Sequence, residues 1–470
     1  MSVSFKLSAS LSGFSLQVLL LLSLTLAVGL AGLVVRHHRR LPLPPVFNQG
    51  LGQYPWTAYA KFSKTAGPLI TIPALGRPIV VINTTKAASD LLERRSSFAD
   101  RPRWPMAELL GRQDNVGFTY YGERLKKMRK ELHAALSAGV LVGIWGALLD
   151  RESLHLCQAL LNAKAPDAFY DSVENNLQQL IVQFTYGRSA DLDYIRLAKL
   201  VMHQTGEALQ PGRWSVNFLP ALKYVPAWVP GAGFKRWAAE AKMSFYDMTR
   251  KPFYRCKEEV TPLPLVLHYI SNDALAAGTE TVSGTVLSFI AIMLRHPEVQ
   301  ERAYREIVSV VGTTRLPDLS DRRALPYVNA IIQEIHRFNP AVPLVTHGNS
   351  VEEEYEGMRI PKKTWVMGNV WAMLHDEEVY PEPDKFVPER FAPPDGAAAQ
   401  PDPNGIVFGF GRRRCPGLHF ANAYLYLVVA RTLALFKLVP PDGDYQALPP
   451  IEFMLGLISS VFALFMLRAV

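Results

Sequence analysis

Three long apolar stretches of the chain have the length and periodicity of helices. Residues 14–35 are interrupted only by small or uncharged polar groups over 22 positions, which is long enough for a helix to span a bilayer. Residues 269–294 keep helical periodicity over 26 positions, about 39 Å at the standard rise per residue. Residues 418–436 are apolar nearly all round, which predicts a buried helix, and His419 and Arg431 within them disfavour a second membrane span.

Shorter patterns predict a small hairpin and a core-facing helix. Apolar residues alternate over 69–72 and 79–82, with turn residues between them, which is typical of two paired strands. Residues 328–338 carry apolar side chains at the i, i+3, i+4, i+7 spacing of a helix with one buried face. Residues 393–403 are rich in Pro, Ala, Asp and Gly and predict a surface loop. Beyond the hairpin the pattern is mostly helical, so we predict a mainly α fold with small β-sheets.

Composition narrows the class of protein. The 470 residues are 49% hydrophobic, enough to bury a sizeable core, and carry a net charge of +8. The 3 cysteines have no regular spacing, which argues against a disulfide framework or a zinc site and favours a reducing compartment. Basic residues cluster at 36–40, 126–130 and 412–414. Because no nucleic-acid motif accompanies them, we expect a membrane surface and an acidic protein as partners, and no nucleic acid.

One cysteine stands in a glycine- and arginine-rich loop, residues 408–417, that leads into the apolar stretch 418–436. Its glycines allow tight turns and close approach to a flat cofactor. The arginines at 412–414 and a following helix N-terminus would lower the pKa of the Cys415 thiol, and Pro416 suits a first helical position. For the Cys-Pro-Gly tripeptide alone, a surface thiol is the alternative. The whole loop predicts a thiolate ligand for haem iron.

The loop resembles the cysteine signature of the cytochrome P-450 superfamily of haem-thiolate monooxygenases. The residues that match the pattern FxxGxRxCxG are Phe408, Gly411, Arg413, Cys415 and Gly417. The resemblance implies that Cys415 is the axial ligand of the iron in haem b, that Phe408 packs beside the haem, and that Arg413 pairs with a propionate. The fold it implies is a large helical domain with small β-sheets.

A second resemblance lies within the long helix of residues 269–294, where residues 277–281 read Ala-Gly-Thr-Glu-Thr. A Gly inside a helix costs about 1 kcal/mol relative to Ala, and close approach of a cofactor would explain it. The segment is similar to the family's oxygen-binding motif, which implies that Glu280 and Thr281 form a catalytic acid–alcohol pair that relays protons. Val282 stands where the family more often has another hydroxyl. For the segment alone, a solvated Glu280 and a packing Thr281 are the alternative.

A pair of charged residues on the flank of the 328–338 helix has the spacing of an ion pair. Glu334 and Arg337 are three positions apart, but exposed pairs of this kind are common and weak. Residues 388–391 read Pro-Glu-Arg-Phe and resemble the family's PERF element. The resemblance implies that Glu334, Arg337 and Arg390 form a buried charge triad that holds the core around the cysteine loop.

Two further residues are candidates for contact with the haem propionates. Residues 121–129 align with the helix that presents a WxxxR motif in the family; Arg129 matches, and Leu125 replaces the Trp. The second contact is then missing or supplied elsewhere, and His347 is a candidate by its position in the strand region after the triad helix. The alternatives are a solvated basic face for Arg129 and a turn for His347.

The resemblance covers about residues 50–455 and is strongest to fungal membrane-bound members of secondary metabolism. It implies a monooxygenase that receives NADPH electrons through NADPH-cytochrome P-450 reductase, with cytochrome b5 as a further donor. Such an enzyme inserts one oxygen atom of O2 into a lipophilic small molecule. Aromatic residues between positions 211 and 237 mix with Lys and Arg around proline turns, as in a segment that dips into a membrane interface, although core packing is the alternative for each aromatic.

Two other functions are compatible with the same fold. One is a haem-thiolate isomerase or dehydratase, which needs neither a reductase nor an acid–alcohol pair and is therefore disfavoured by Glu280 and Thr281. The other is a catalytically degenerate haem-binding membrane protein, suggested by Leu125 and Val282. The substrate is not encoded in any spacing pattern, because dispersed apolar residues shape such pockets.

The predicted organisation has four segments. Residues 1–13 form a short lumenal N-terminus, 14–35 a transmembrane signal anchor, 36–50 a basic and proline-rich hinge, and 51–470 the catalytic domain. The basic cluster directly follows the apolar run and only Lys6 precedes it, so the positive-inside rule places the catalytic domain in the cytosol. We therefore expect a single-pass protein of the endoplasmic reticulum membrane.

Overall fold

The computed structural model describes most of the chain from residue 41 onward. The described segments are 41–50, 52–74, 78–163, 166–187, 192–210, 212–259, 265–440, 452–454, 457–460 and 466–469. They fall into a small unit, residues 41–44 with 351–362, and a large unit that comprises the described residues of 45–350 and 363–470. The predicted lumenal segment, the anchor at 14–35 and the basic cluster at 36–40 lie outside the described residues.

The large unit is mainly helical. Its helices are α1 (Pro55–Ala66), α2 (Thr85–Ala88), α3 (Pro105–Leu109), α4 (Glu123–Leu136), α5 (Ala138–Val140), α6 (Gly146–Asn162), α7 (Pro166–Tyr186), α8 (Leu192–Leu209), α9 (Ser215–Phe218), α10 (Gly233–Glu259), α11 (Leu265–Met293), α12 (Pro297–Val311), α13 (Pro326–Phe338), α14 (Val370–Leu374), α15 (Asn404–Val407) and α16 (Leu418–Leu435). Five of them, α1, α3, α7, α12 and α13, begin with a proline. The first residue of a helix has no intrahelical acceptor for its N–H, so the N–H that proline lacks costs no hydrogen bond there.

Small β-sheets accompany the helices. The strands of the large unit are β1 (Leu69–Ile72), β2 (Ile79–Ile82), β3 (Leu344–Gly348), β6 (Trp365–Asn369), β7 (Phe436–Val439), β8 (Glu452–Met454), β9 (Leu457–Ser460) and β10 (Met466–Ala469). The predicted hairpin forms, with Leu69 opposite Ile82 in an antiparallel pair. It extends to a sheet in the order β1-β2-β6-β3, in which β6 runs parallel to β2 and antiparallel to β3. Strands β7 and β10 form one antiparallel pair, and β8 and β9 form another.

The small unit contains one hairpin, made by β4 (Glu353–Tyr355) and β5 (Met358–Ile360). Its turn residues Glu356 and Gly357 have φ values of +50° and +75°, and positive φ at both central positions gives a turn whose twist matches antiparallel strands. The backbone N–H of Arg359 donates to the carbonyl oxygen of Pro42 at 2.7 Å, which ties the hairpin to residues 41–44.

Helix α16 runs through the hydrophobic core of the large unit. It is long and apolar enough to cross a membrane, with a mean hydropathy of 1.3, but 72% of it is buried inside the protein. It packs against α6, α11, α12 and α13. The apolar side chains on all its faces therefore reflect a central position in the fold, as the sequence predicts.

Helix α13 lies against α16 with its apolar stripe inward. Val328, Ile331 and Ile335 on this stripe are buried. No side chain of the preceding residue caps the helix; instead the Glu306 carboxylate on α12 accepts hydrogen bonds from the backbone N–H groups of Tyr327 and Val328 at 2.9 and 3.0 Å. A carboxylate at a helix N-terminus is also favoured by the helix dipole, so this contact fixes α13 against α12.

Candidate active site

The cysteine loop, residues 408–417, connects α15 to α16. Gly409 and Gly411 have φ values of +75° and +50°, a region that favours glycine. A Cβ atom at Gly411 would lie 2.6 Å from the backbone carbonyl oxygen of Leu92. The backbone N–H of Cys415 donates to the carbonyl oxygen of Phe408 at 2.7 Å. The close approach at Gly411 is thus to the chain's own backbone, which sets the path of the loop.

The environment of the Cys415 thiol differs from the expectation. Desolvation raises the pKa of Cys415 above its ordinary value, although the residue retains accessible surface. The backbone N–H groups of Gly417 and Leu418 and the charge of Arg129 act in the opposite direction. The arginines at 412–414 are not among these influences, and the last two direct their guanidinium groups to backbone carbonyl oxygens. The groups placed to stabilise an anionic sulfur are therefore the start of α16 and Arg129.

Arg413 is buried and bound by the segment between β2 and α4. It donates to the carbonyl oxygens of Ala99 (2.6 Å), Val116 (3.2 Å) and Thr119 (2.7 Å). These three acceptors lie on one segment of the chain, residues 99–119, and Arg413 contacts this segment near both of its ends. Arg413, two residues before Cys415, thereby fixes that segment against the cysteine loop.

A second arginine in this region, Arg101, has no motif to mark it in the sequence. Its Nε donates to the carbonyl oxygen of Gly117 at 2.7 Å, and Nη1 donates to the carbonyl oxygen of Thr346 on β3. Desolvation lowers the pKa of Arg101 to about 10 and that of Arg413 to about 9. The charge of Arg129 lowers both further, and Arg101 also lowers that of Arg413.

The cation cluster is defined as Arg101, Arg129 and Arg413. Its positive charge exceeds the negative charge of the carboxylates near it. Among the described residues, Asp100 is the carboxylate whose charge offsets Arg101 and Arg413. Buried like charges are stable only when anions compensate them. The two propionates of haem would supply that compensation, so the donor set present here fits haem.

His347, the other predicted propionate contact, lies on β3 beside the same cluster. It is buried, and its Nδ1 is 2.9 Å from the carbonyl oxygen of Phe98, which can only accept. Desolvation and the charges of Arg101 and Arg413 lower the pKa of His347 to about 3. The neutral ring therefore carries its proton on Nδ1, and Nε2 would donate to a propionate only if the ring were protonated.

The position of the missing Trp in the WxxxR segment is part of the core. Leu125 is buried on α4 and belongs to the same cluster as Met128 and Leu132. Arg129, on the next turn, is half-buried and its Nη2 donates to the carbonyl oxygen of Arg414 at 2.6 Å. Arg129 thus contacts the residue that precedes Cys415, while Leu125 provides packing.

The predicted acid–alcohol pair lies on α11. Burial and the charge of Glu174 on α7 raise the pKa of Glu280 to about 7, so its carboxyl can gain or lose a proton near neutral pH. A Cβ atom at Gly278 would lie 3.0 Å from Cδ1 of Ile181. The glycine therefore permits close packing of α11 against α7, a reason that the sequence did not indicate, and it brings Glu174 into electrostatic reach of Glu280.

Glu334, Arg337 and Arg390 form a buried ionic network. Glu334 accepts from Nε and Nη2 of Arg337 at 2.7 and 2.8 Å and from Nε of Arg390 at 3.3 Å. It also accepts from the backbone N–H of Val387 at 2.9 Å. The remaining donors of the two arginines reach backbone carbonyl oxygens, including that of Leu374 at 3.1 Å. One carboxylate and two cations are thus held together with most of their polar atoms satisfied.

Comparisons with known proteins agree with this fold and site. The family model for cytochrome P-450 matches residues 40–250 and 264–463. Cytochrome P-450 monooxygenase 45 of Postia placenta is 34% identical over 87% of this chain and 82% of its own length. Cytochrome P-450 monooxygenase ppsD of Aspergillus oryzae is 34% identical over 89% of this chain and 84% of its own length. A zebra fish cytochrome P-450 solved with progesterone has a TM-score of 0.71 at 23% identity, covering 90% of this chain and 98% of that one.

The chain belongs to the cytochrome P-450 family. It is accordingly an oxidoreductase of the monooxygenase type, with haem iron as its cofactor and a thiolate as the ligand of that iron. Cys415 stands at the matching position of the family's cysteine signature.

Proposed function

We propose that this enzyme inserts one oxygen atom of O2 into a lipophilic small molecule, with electrons that NADPH-cytochrome P-450 reductase delivers from NADPH. Cytochrome b5 is a second candidate donor. Haem iron, when bound, supplies the oxygen-activating chemistry. In this proposal Cys415 would supply the thiolate ligand of the iron, and the cation cluster would hold the propionates, with His347 as a further contact if its ring were protonated. The fungal origin of the relatives supports a role in fungal secondary metabolite biosynthesis.

The feature that carries the proposal is the position of Glu280 on α11 next to Thr281, where burial and the charge of Glu174 raise the pKa of the carboxyl. A carboxyl with a pKa of about 7 can donate a proton at physiological pH and regain it, which suits a general acid. Thr281, the next residue, provides a hydroxyl on the same helix turn. An isomerase or dehydratase would have no use for this pair, so its presence favours monooxygenation.

A basic surface near the cysteine loop supports docking of an acidic redox partner. Lys126, Lys127 and Lys130 on α4 are exposed, as is Arg412 in the loop. The charge of Arg412 acts on Lys126, so these residues belong to one surface. We propose that the acidic face of the reductase binds there, because opposite charges accelerate encounter between protein partners.

Exposed apolar residues between α9 and α10 support contact with a membrane. Trp228 is 81% exposed and Tyr224 77% exposed, and Leu219 lies in the same segment. In contrast, Trp214 and Trp237 pack against each other with ring centroids 4.7 Å apart. The membrane-facing part of the predicted aromatic segment is therefore its middle. We propose that it rests in the endoplasmic reticulum membrane with the catalytic domain in the cytosol.

The test of the proposed function is the coupling of NADPH consumption to product with a substrate found by panel screening. In Thr281→Ala, haem loading and substrate binding should persist while the yield of product per NADPH falls and hydrogen peroxide rises. Thr285→Ala is the matched control, because the Thr285 hydroxyl already donates to the Thr281 carbonyl oxygen at 2.8 Å. A Thr281→Ala enzyme as tightly coupled as wild type would remove Thr281 from proton delivery. Turnover that consumes no NADPH would favour the isomerase or dehydratase.

A further inference from the structure

A hydrogen-bonded relay of side chains joins the two helices that flank the cysteine loop. Asn404 lies on α15, directly before the loop, and Asn422 lies on α16, directly after it. Nδ2 of Asn422 donates to Oδ1 of Asn404 at 3.0 Å. This bond joins the helix before the loop to the helix after it, and so it holds the two ends of residues 408–417 together. The loop geometry therefore depends on a contact outside the signature motif.

The relay continues from Asn422 to His336 on α13. Nε2 of His336 is 3.2 Å from Oδ1 of Asn422, and both side chains are buried. His336 stands between Glu334 and Arg337 of the ionic network, on a helix which that network holds in place. The two asparagines are thereby connected to a fixed part of the core.

The direction of each hydrogen bond in the relay follows from the acceptor at its outer end. The Asp402 carboxylate can only accept, and Nδ2 of Asn404 donates to it at 2.7 Å. Oδ1 of Asn404 is then the acceptor for Asn422, and Oδ1 of Asn422 is the acceptor for His336. Burial lowers the pKa of His336 to about 4, so the ring is neutral and its single proton lies on Nε2.

His336 also contacts the loop directly. Its ring meets the ring of Phe408 edge to face, with centroids 5.5 Å apart and planes at 73°. The carbonyl oxygen of Phe408 accepts the backbone N–H of Cys415. In addition, the carbonyl oxygen of Asn404 accepts Nη2 of Arg414 at 3.0 Å. One imidazole thus restrains the loop at its first residue and, through the asparagines, at the residue before the cysteine.

We infer that His336 is a positioning residue for the axial ligand. It holds α15, the loop and the start of α16 in register through Phe408, Asn422 and Asn404. The start of α16 carries the backbone N–H groups of Gly417 and Leu418, which donate to the Cys415 sulfur. Hydrogen bonds to a ligating sulfur withdraw electron density and raise the reduction potential of its metal. Loss of the His336 donor should weaken these bonds and lower the potential.

The experiment measures the midpoint potential of the purified haem-loaded chain by redox titration. It also measures the fraction of haem with the thiolate-type carbon monoxide band. His336→Leu and Asn422→Leu should each lower the equilibrium constant for one-electron reduction about tenfold, which corresponds to about 59 mV. The thiolate-type fraction should fall as well. His336→Gln, which retains a donor toward Asn422, should restore most of the wild-type potential. The double Leu variant should differ little from either single variant, because both remove the same bond.

Two further variants keep the inference testable if a buried substitution impairs folding. Asn404→Ala removes the relay at its more accessible end and leaves the backbone carbonyl for Arg414, so it should lower the potential in the same direction. His375→Leu is the matched control, because His375 is a neutral histidine whose Nδ1 contacts the carbonyl oxygen of Trp371 on α14 at 3.0 Å. Its potential should equal that of wild type.

Three results would overturn the inference. They are an unchanged potential in His336→Leu, Asn422→Leu and Asn404→Ala with full haem loading, a His336→Gln protein as altered as His336→Leu, or loss of haem from all the variants without a spectral change in what remains. The last outcome would assign the relay a purely structural role. The inference rests on the proposed function in one respect, Cys415 as the ligand of the iron. The measurements require neither substrate nor reductase, so their failure is distinguishable from a failure of the proposed monooxygenation.

Discussion

Replacement of Glu334 by Gln tests how far the ionic network stabilises the fold. Glu334 is 0% exposed and accepts two hydrogen bonds from Arg337, one from Arg390 and one from the Val387 backbone. Gln keeps the shape but removes the negative charge, and its amide nitrogen faces cationic donors. Removing one partner of a buried ion pair costs about 3–5 kcal/mol. Since whole domains are stable by about 5–15 kcal/mol, we expect a large fraction of the stability to be lost.

The assay is urea unfolding followed by tryptophan fluorescence, with haem content measured on the same preparations. Glu301→Gln is the control, because Glu301 pairs with Arg305 at 2.8 Å on the surface of α12 with a side chain that is 49% exposed. Exposed pairs contribute about 0.2–1 kcal/mol. A Glu334→Gln protein that loses less than about 1 kcal/mol and loads haem like wild type would contradict the assignment of Glu334 as the centre of a buried network.

Three other substitutions test the site. Cys415→Ser should abolish the thiolate-type carbon monoxide spectrum of reduced protein, and an unchanged spectrum would exclude Cys415 as ligand. Gly411→Ala should sharply reduce haem-loaded protein, because the new Cβ would lie 2.6 Å from a carbonyl oxygen, whereas Gly405→Ala, with nothing within 4 Å, should behave like wild type. Lys126→Glu combined with Lys127→Glu should slow first-electron reduction by the reductase in stopped flow, and added salt should slow the wild type; indifference to both would exclude docking at this surface.

The sequence predicted elements whose signals are local. The 69–72 and 79–82 hairpin, the long helix α11 and the buried helix α16 all follow from periodicity within one segment. Strand β6 pairs in parallel with β2, almost three hundred residues away along the chain, and no local pattern indicates such a partner. The Glu334 and Arg337 spacing was visible, but its burial depended on Arg390, which only a family resemblance connected to it.

The site was predicted less completely because side-chain direction is a tertiary property. The run of arginines at 412–414 suggested a lowered thiol pKa, yet Arg413 turns toward carbonyl oxygens elsewhere and desolvation raises the pKa of Cys415. Arg101 could not be distinguished from any surface arginine, since its burial comes from contacts with Gly117 and Thr346. The relay of Asn404, Asn422 and His336 could not be predicted from the sequence for the same reason.

We expect the cation cluster of Arg101, Arg129 and Arg413 to make the amount of folded protein depend on the supply of haem. The charges in the cluster repel one another, so we expect a bound dianion such as haem to stabilise the folded chain. By mass action, a ligand at one hundred times its dissociation constant stabilises the folded state by about 2.7 kcal/mol. We therefore expect the amount of intact protein in a cell to follow haem biosynthesis. A host supplemented with a haem precursor should accumulate more of it from the same messenger RNA.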